Sequence, residues 1–404
     1  MTEVMRSPVA DLRGACRIGV DAITGITELV AAVHANVAER PTRLAGAVVG
    51  GAVNATTSVV YKSICGITRA VGEGLDVALG ALAPALGHSE SSPARESVIA
   101  ALNGVLGDYL AETGNPLAVT MQLCRAGKPF EVTRKGLTAA IPAPSSKVLI
   151  LVHGLCRSDR WRGRDGHDHG VELARDLAYT TTYLRYNTGL HVSTNGRALA
   201  QMLEALVAAW PVSLEEVSIL AHSMGGLVAR SAHHYASVAG HAWPRKLRKL
   251  VFLGTPHHGV PLERAGHRVD LLLEKTLYTA PFALLGRVRS AGITDLRYGY
   301  LLEEDWNGHD RFASRKGSGH LLPLPKRVQC YTIAAAIGHA PAPHRDQLIG
   351  DGLVPVPSAL GEHRDPRLRL RFPRSRRWTA TGTSHLGLLS RGPVYERIRD
   401  WLGE

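Results

Sequence analysis

The chain has 404 residues, room for two domains or one large domain with an appendage at roughly 100–200 residues per domain. Its 45% hydrophobic and 20% charged residues exclude a mostly disordered or collagen-like chain. The formal charge of +12 comes from 9 Lys and 38 Arg against 35 acidic residues, yet no stacking-aromatic pattern or reader motif accompanies it, so no nucleic-acid partner is expected. Five scattered cysteines (Cys16, Cys65, Cys124, Cys156, Cys330), none in a Cys-x-x-Cys pair, exclude a disulfide scaffold or a structural zinc site.

The first residues carry no basic segment followed by an apolar core, so no secretory signal is read and the chain is expected in the cytoplasm or at the periphery of a lipid surface. The uncharged stretch from Leu44 to Tyr61 holds three glycines and several hydroxyl residues, too polar for a membrane span. Residues 1–108 contain one aromatic, Tyr61, and read as an N-terminal helical region over 1–90, with apolar residues at helical spacing in Ile23, Ile26, Leu29, Val30 and Val33. Such helices must bury their apolar stripe against the rest of the chain, a second copy or a lipid surface; protein packing is favoured because their polar faces are not strongly basic. Ser92 and Pro93 open a helix from about Ala94 to Ala111.

From Lys147 the pattern changes. Val148–Val152 is a continuous apolar run, as in a strand buried on both faces. A helix (Gly170–Tyr179), a strand (Thr182–Tyr186), a helix (Asn195–Trp210), a strand (Val217–Ala221) and a helix (Gly225–Ala236) follow. Leu250–Gly254, Val328–Ala334 and Trp378–Thr381 are the remaining strands, and Pro393–Leu402 is the closing helix. Strands alternating with helices predict an α/β domain over 91–404, with a mostly parallel sheet and helices on both faces. The long interval about 256–325 reads as a cap over the site or a plain structural subdomain, with Phe282 and Leu285 among its apolar residues.

Ala221-His222-Ser223-Met224-Gly225-Gly226 joins a strand to a helix, the context of a nucleophile elbow, with Ala221 in place of the usual first glycine. The plainer reading of Ser223 is a helix N-cap. His153-Gly154-Leu155 ends the first strong strand, where the N–H groups of Leu155 and Met224 would face the oxygen that gains charge in acyl transfer. In the chain order Ser, acid, His, the acid is Asp351, with Asp365 and Asp310 as weaker rivals, and the base is His385, with His339, His344 and His363 as alternatives. Asp351 could equally serve a Gly-Asp-Gly turn.

Together with Arg185–His191, Leu253–Gly259 and Asp351–Pro355, these segments make residues 147–402 resemble the α/β-hydrolase superfamily, and within it the bacterial lipases and the GPI-inositol-deacylase-like esterases. The resemblance implies an α/β-hydrolase fold and hydrolysis of an ester or lipid by Ser223, Asp351 and His385, with Leu155 and Met224 as oxyanion donors. It implies no cofactor and no metal. A thioesterase or amidase would use the same residues, and a non-catalytic lipid-surface protein could share the scaffold. His167-Asp168-His169 offers two histidines two apart, short of the ligand set a metal needs. Seven arginines between Arg364 and Arg377 read as a solvated face or one drawn to anionic headgroups.

Overall fold

A computed structural model of the chain describes residues 10–22, 24–25, 69, 73, 76, 93–160, 166–260, 290–310, 319–320, 322–338 and 350–404. The chain divides into two compact units, one of residues 1–96, 109–118 and 266–289, the other of 97–108, 119–265 and 290–404. The helix from Pro93 to Glu112 (α1) runs through segments of both.

The larger unit is built on eight strands: β1 (Gln122–Arg125), β2 (Lys128–Phe130), β3 (Lys147–Val152), β4 (Thr180–Arg185), β5 (Glu216–His222), β6 (Leu247–Leu253), β7 (Gln329–Ala336) and β8 (Arg377–Thr381). Their order across the sheet is β2-β1-β4-β3-β5-β6-β7-β8. Only the β2-β1 and β1-β4 pairings are antiparallel; β4 through β8 run parallel. Among the described residues its α-helices are α2 (Arg134–Ala140), α3 (His169–Leu177), α4 (Val192–Ala209), α5 (Met224–Val238), α6 (Ala291–Asp295), α7 (Val356–Ala359) and α8 (Gly392–Gly403).

The continuous apolar runs follow from burial on both faces. Alternation along β3 sends Val148, Ile150 and Val152 to one side, where Leu199 and Leu203 of α4 and Leu227 and Val228 of α5 cover them. Leu149 and Leu151 face the other side, against Leu173 of α3 and Ile398, Trp401 and Leu402 of α8. β5 and β6 repeat the division, with Ile219 and Phe252 on the first face and Leu220 and Val251 on the second. Each parallel return needs a crossover, which α3, α4 and α5 supply in turn.

The predicted strands and helices from Lys147 onward are present, with ends shifted by a few residues. The helix expected to reach Tyr179 stops at Leu177 because Ala178 takes a left-handed conformation, φ 57°. Sequence reading placed nothing between Pro116 and Lys147, whereas the chain forms the β1–β2 hairpin and α2 there.

In the smaller unit, residues 10–22 are helical. Arg13 and Arg17 both pair with Asp76, at 3.0 and 2.7 Å, and draw its carboxyl well below the usual range. Arg95 pairs with Asp11, and Asn115 donates to the Gly14 carbonyl at 3.2 Å. The expected boundary near residue 90, most of the 1–90 helical region, and Phe282 and Leu285 of the expected cap lie outside the described residues. No helix among the described residues is long and apolar enough to cross a membrane.

Candidate active site

Ser223 stands between the last residue of β5 and the first of α5 with φ 55° and ψ −127°, a conformation that costs a non-glycine residue energy. Core packing holds it there. From Val217 to Ala232 every residue is buried except Ser223. A Cβ on Gly225 would lie 2.5 Å from the Val152 carbonyl oxygen and 2.6 Å from that of His153, so no larger residue lets α5 start this close to β3. The Ser223 N–H donates to Leu253 O at 2.8 Å, which fixes the turn against β6. Its hydroxyl makes no capping bond to α5, unlike an ordinary N-cap serine.

Asp351 and His385 come from the loops after β7 and β8 and form a buried pair, with His385 Nδ1 donating to Asp351 Oδ2 at 2.6 Å. Each partner is fixed by backbone as well. Asp351 Oδ1 accepts from the amides of Leu353 and Val354 at 3.0 and 2.8 Å, and the His385 N–H donates to Asp351 O at 3.0 Å. The flanking Gly350 has φ 54°, and a Cβ there would meet Val354 O at 2.0 Å, which explains the glycine before the acid. The rival Asp365 instead forms a surface ion pair with Arg367, and Asp310 is exposed. Among the alternative bases, His363 accepts from the Asp365 amide, and His339 and His344 lie outside the described residues.

The two halves meet at the C-terminal edge of β5 and β6. His222, next to the serine, donates from Nε2 to the His385 carbonyl at 3.1 Å, with their rings 4.6 Å apart. The His385 ring also lies against Gly254, where an added Cβ would be 3.1 Å from ring atoms. The Ser223 hydroxyl and the His385 ring do not share a hydrogen bond in this structure. The loop after β3 reaches the same point: a Cβ on Gly154 would be 2.8 Å from that of Ser223. Leu155, half-buried, follows on that loop, and Met224 is the buried first residue of α5, whose N–H has no acceptor within the helix.

Sequence reading assigned no roles within Arg185–His191, yet that segment braces the Gly154 loop. The Tyr186 hydroxyl donates to His153 O at 2.7 Å, its ring stacks on that of His153 at 4.5 Å, and Thr188 Oγ1 accepts from the Cys156 amide at 3.2 Å. Burial lowers the His153 imidazole to about 4, so the ring is neutral, and raises the Tyr186 phenol. His191 donates to the buried Asp295 at 3.0 Å and stacks on Trp306 with ring centroids 3.7 Å apart. These partners come from distant segments, and no local spacing marks them.

The rings of His167 and His169 bond to each other and to the backbone. His167 Nε2 donates to His169 Nδ1 at 2.7 Å, His169 Nε2 donates to Leu388 O at 2.9 Å, and Asp168 caps α3. Among the described residues no cluster of three or more His, Cys, Asp or Glu could hold a metal ion.

A domain family described as a domain of unknown function, DUF7379, matches residues 128–296. No curated protein matches the chain in sequence. Solved structures similar to it include a Bacillus licheniformis lipase in mature form (18% identity, TM-score 0.41, covering 64% of this chain and 94% of that one). Aspergillus fumigatus lipase B is similar at 13% identity and TM-score 0.41, covering 72% and 57%. The phospholipase PlaB from Legionella pneumophila is similar at 16% identity and TM-score 0.33, covering 53% and 45%. The strand order, the parallel crossovers and the strand–turn–helix elbow at the sheet's centre make this chain's fold that of the α/β-hydrolases.

Proposed function

We propose that the protein is a serine hydrolase of carboxylic esters, acting on an ester or lipid substrate through an acyl-enzyme. The observation that carries this reading is the buried Asp351–His385 pair, bonded at 2.6 Å, beside Ser223 in a strained elbow, the one residue from Val217 to Ala232 that is not fully buried. With Nδ1 committed to Asp351, the lone pair of His385 resides on Nε2. Nε2 removes the Ser223 proton as Oγ attacks the ester carbonyl, and Asp351 stabilises the imidazolium. The Leu155 and Met224 N–H groups receive the oxyanion. The imidazolium protonates the departing alcohol, and a water deprotonated by Nε2 then releases the acid and frees Ser223.

The chemistry requires Ser223 and His385 to close the hydrogen bond that is open here, and such bonds commonly tighten only when substrate is bound. The test is labelling by a fluorophosphonate probe together with turnover of p-nitrophenyl esters. The wild-type chain labels and turns over, whereas Ser223→Ala does neither while keeping its thermal transition. Full labelling of Ser223→Ala, or absence of both activities in the wild type, overturns the reading.

A further inference from the structure

Arg230 lies two turns beyond Ser223 on α5, 4% exposed, with no carboxylate partner among the described residues. A buried cation without a counter-ion is costly, and burial pulls this guanidinium down to about 10. It donates instead to the Leu322 carbonyl and to Nδ1 of His257, the latter at 3.3 Å. Accepting at Nδ1 puts the proton of the neutral His257 ring on Nε2. Burial, reinforced by the neighbouring Arg230 charge, keeps that ring neutral. Arg230 Nε and His257 Nε2 are therefore N–H donors, both buried and without an acceptor among the described residues.

Both side chains line an open cleft bounded also by His258, Tyr298, His320 and Leu368. The nearby Asp305 bonds neither Arg230 nor His257. Its carboxylate is engaged by the amides of Leu301, Leu302 and His320 and by His320 Nδ1. Leu368 and Leu370 bring one wall from the arginine-rich run, where Arg364, Arg371 and Arg374 are exposed and lack an acidic partner among the described residues. Unused buried donors and a cation with no carboxylate partner among the described residues point to an anionic guest. Ser223, Asp351 and His385 are absent from the lining, so the site is separate from the candidate active site.

We propose that this cleft binds a phosphate-type oxyanion, free or as a phosphomonoester headgroup, through Arg230 and His257. An N–H of the guanidinium and one of the neighbouring imidazole can both donate to the oxygens of one phosphate group, and hydrogen bonds from a cation to phosphate are the strong ones.

The test is calorimetric titration of the full chain with inorganic phosphate and, separately, with monomeric dihexanoyl phosphatidic acid. Saturable binding at one site is expected for the wild type. Its affinity should fall at least about tenfold in Arg230→Gln and about tenfold in Leu368→Glu, which sets a carboxylate at the wall of the cleft. Should Arg230→Gln fail to fold, the half-buried Leu368 still allows a decision through Leu368→Glu. Tighter binding of the phosphatidic acid would assign the headgroup as the source, and tighter binding of inorganic phosphate the free ion. Absence of saturable binding to either probe, or unchanged affinity in the folded variants, overturns the proposal.

Discussion

Asp351→Asn changes one atom and separates the acid's two duties. Oδ1 of the aspartate holds the turn through the amides of Leu353 and Val354, and an asparagine oxygen can keep both bonds. The other oxygen, 2.6 Å from His385 Nδ1, becomes an NH₂ group. It can only donate, so His385 must present Nδ1 as an acceptor and carry its proton on Nε2, the nitrogen that takes the serine proton in the proposed mechanism. On the proposed mechanism, loss of the working tautomer at intact geometry should cost about 10⁴-fold in kcat, about 5.4 kcal/mol of transition-state stabilisation. Losing the charge-assisted bond should lower folding stability by about 1.5–3 kcal/mol. The assay is steady-state hydrolysis of p-nitrophenyl butyrate at pH 8, paired with urea unfolding of the same preparations. A folded Asp351→Asn within tenfold of wild-type kcat would refute the reasoning and make Asp310 and Asp365 the acids to test.

Replacing Ser223 by glycine should raise stability by about 1 kcal/mol over Ser223→Ala, since only glycine occupies φ 55°, ψ −127° without strain; equal melting temperatures would contradict the strained elbow. Gly225→Val should leave little folded protein, because its Cβ would sit 2.5 Å from Val152 O, and normal expression with wild-type activity would show that α5 can shift. His153 and His169 are each held by burial at about 4, below the 6.5 of the unfolded chain. Below pH 6.5 the unfolded state therefore binds protons that the folded state refuses, and stability falls as pH drops from 6.5 toward 4, by about 3 kcal/mol per ring at most. Urea midpoints measured between pH 7.5 and 4.5 check this, and His169→Asn should flatten the slope; a slope unchanged by that substitution would count against it.

The central strands were legible because parallel strands buried on both faces need unbroken apolar runs, as in Val148–Val152 and Leu250–Leu253. The elbow was legible because its backbone demands small residues at fixed offsets from Ser223. Gly350 and Gly352 marked Asp351 for a similar reason, each having positive φ. The β1–β2 hairpin was not legible. Its two turn residues, Ala126 and Gly127, both take positive φ, but alanine at the first of them carries no turn signal, and the strands have four and three residues. The bracing of the Gly154 loop by Tyr186 and the His191–Asp295 pair depended on contacts more than thirty residues apart in sequence, which no local pattern encodes.

The proposed acid, Asp351, and base, His385, occupy different loops yet are tied as one body. The His385 amide bonds Asp351 O, the Thr383 amide bonds Ala336 O at the end of β7, and the Gly382 amide bonds Gly338 O just past it. That body hangs on β8, a five-residue strand at the sheet's edge, whereas Ser223 is set by β5 at its centre. Edge elements open at lower free energy than central ones. Mild denaturant should therefore silence turnover in a single step, acid and base departing together, at concentrations where β5, α5 and the serine they position are still intact. Hydrogen exchange at Ala380 would follow the loss of activity, and exchange at Leu220 would lag behind both.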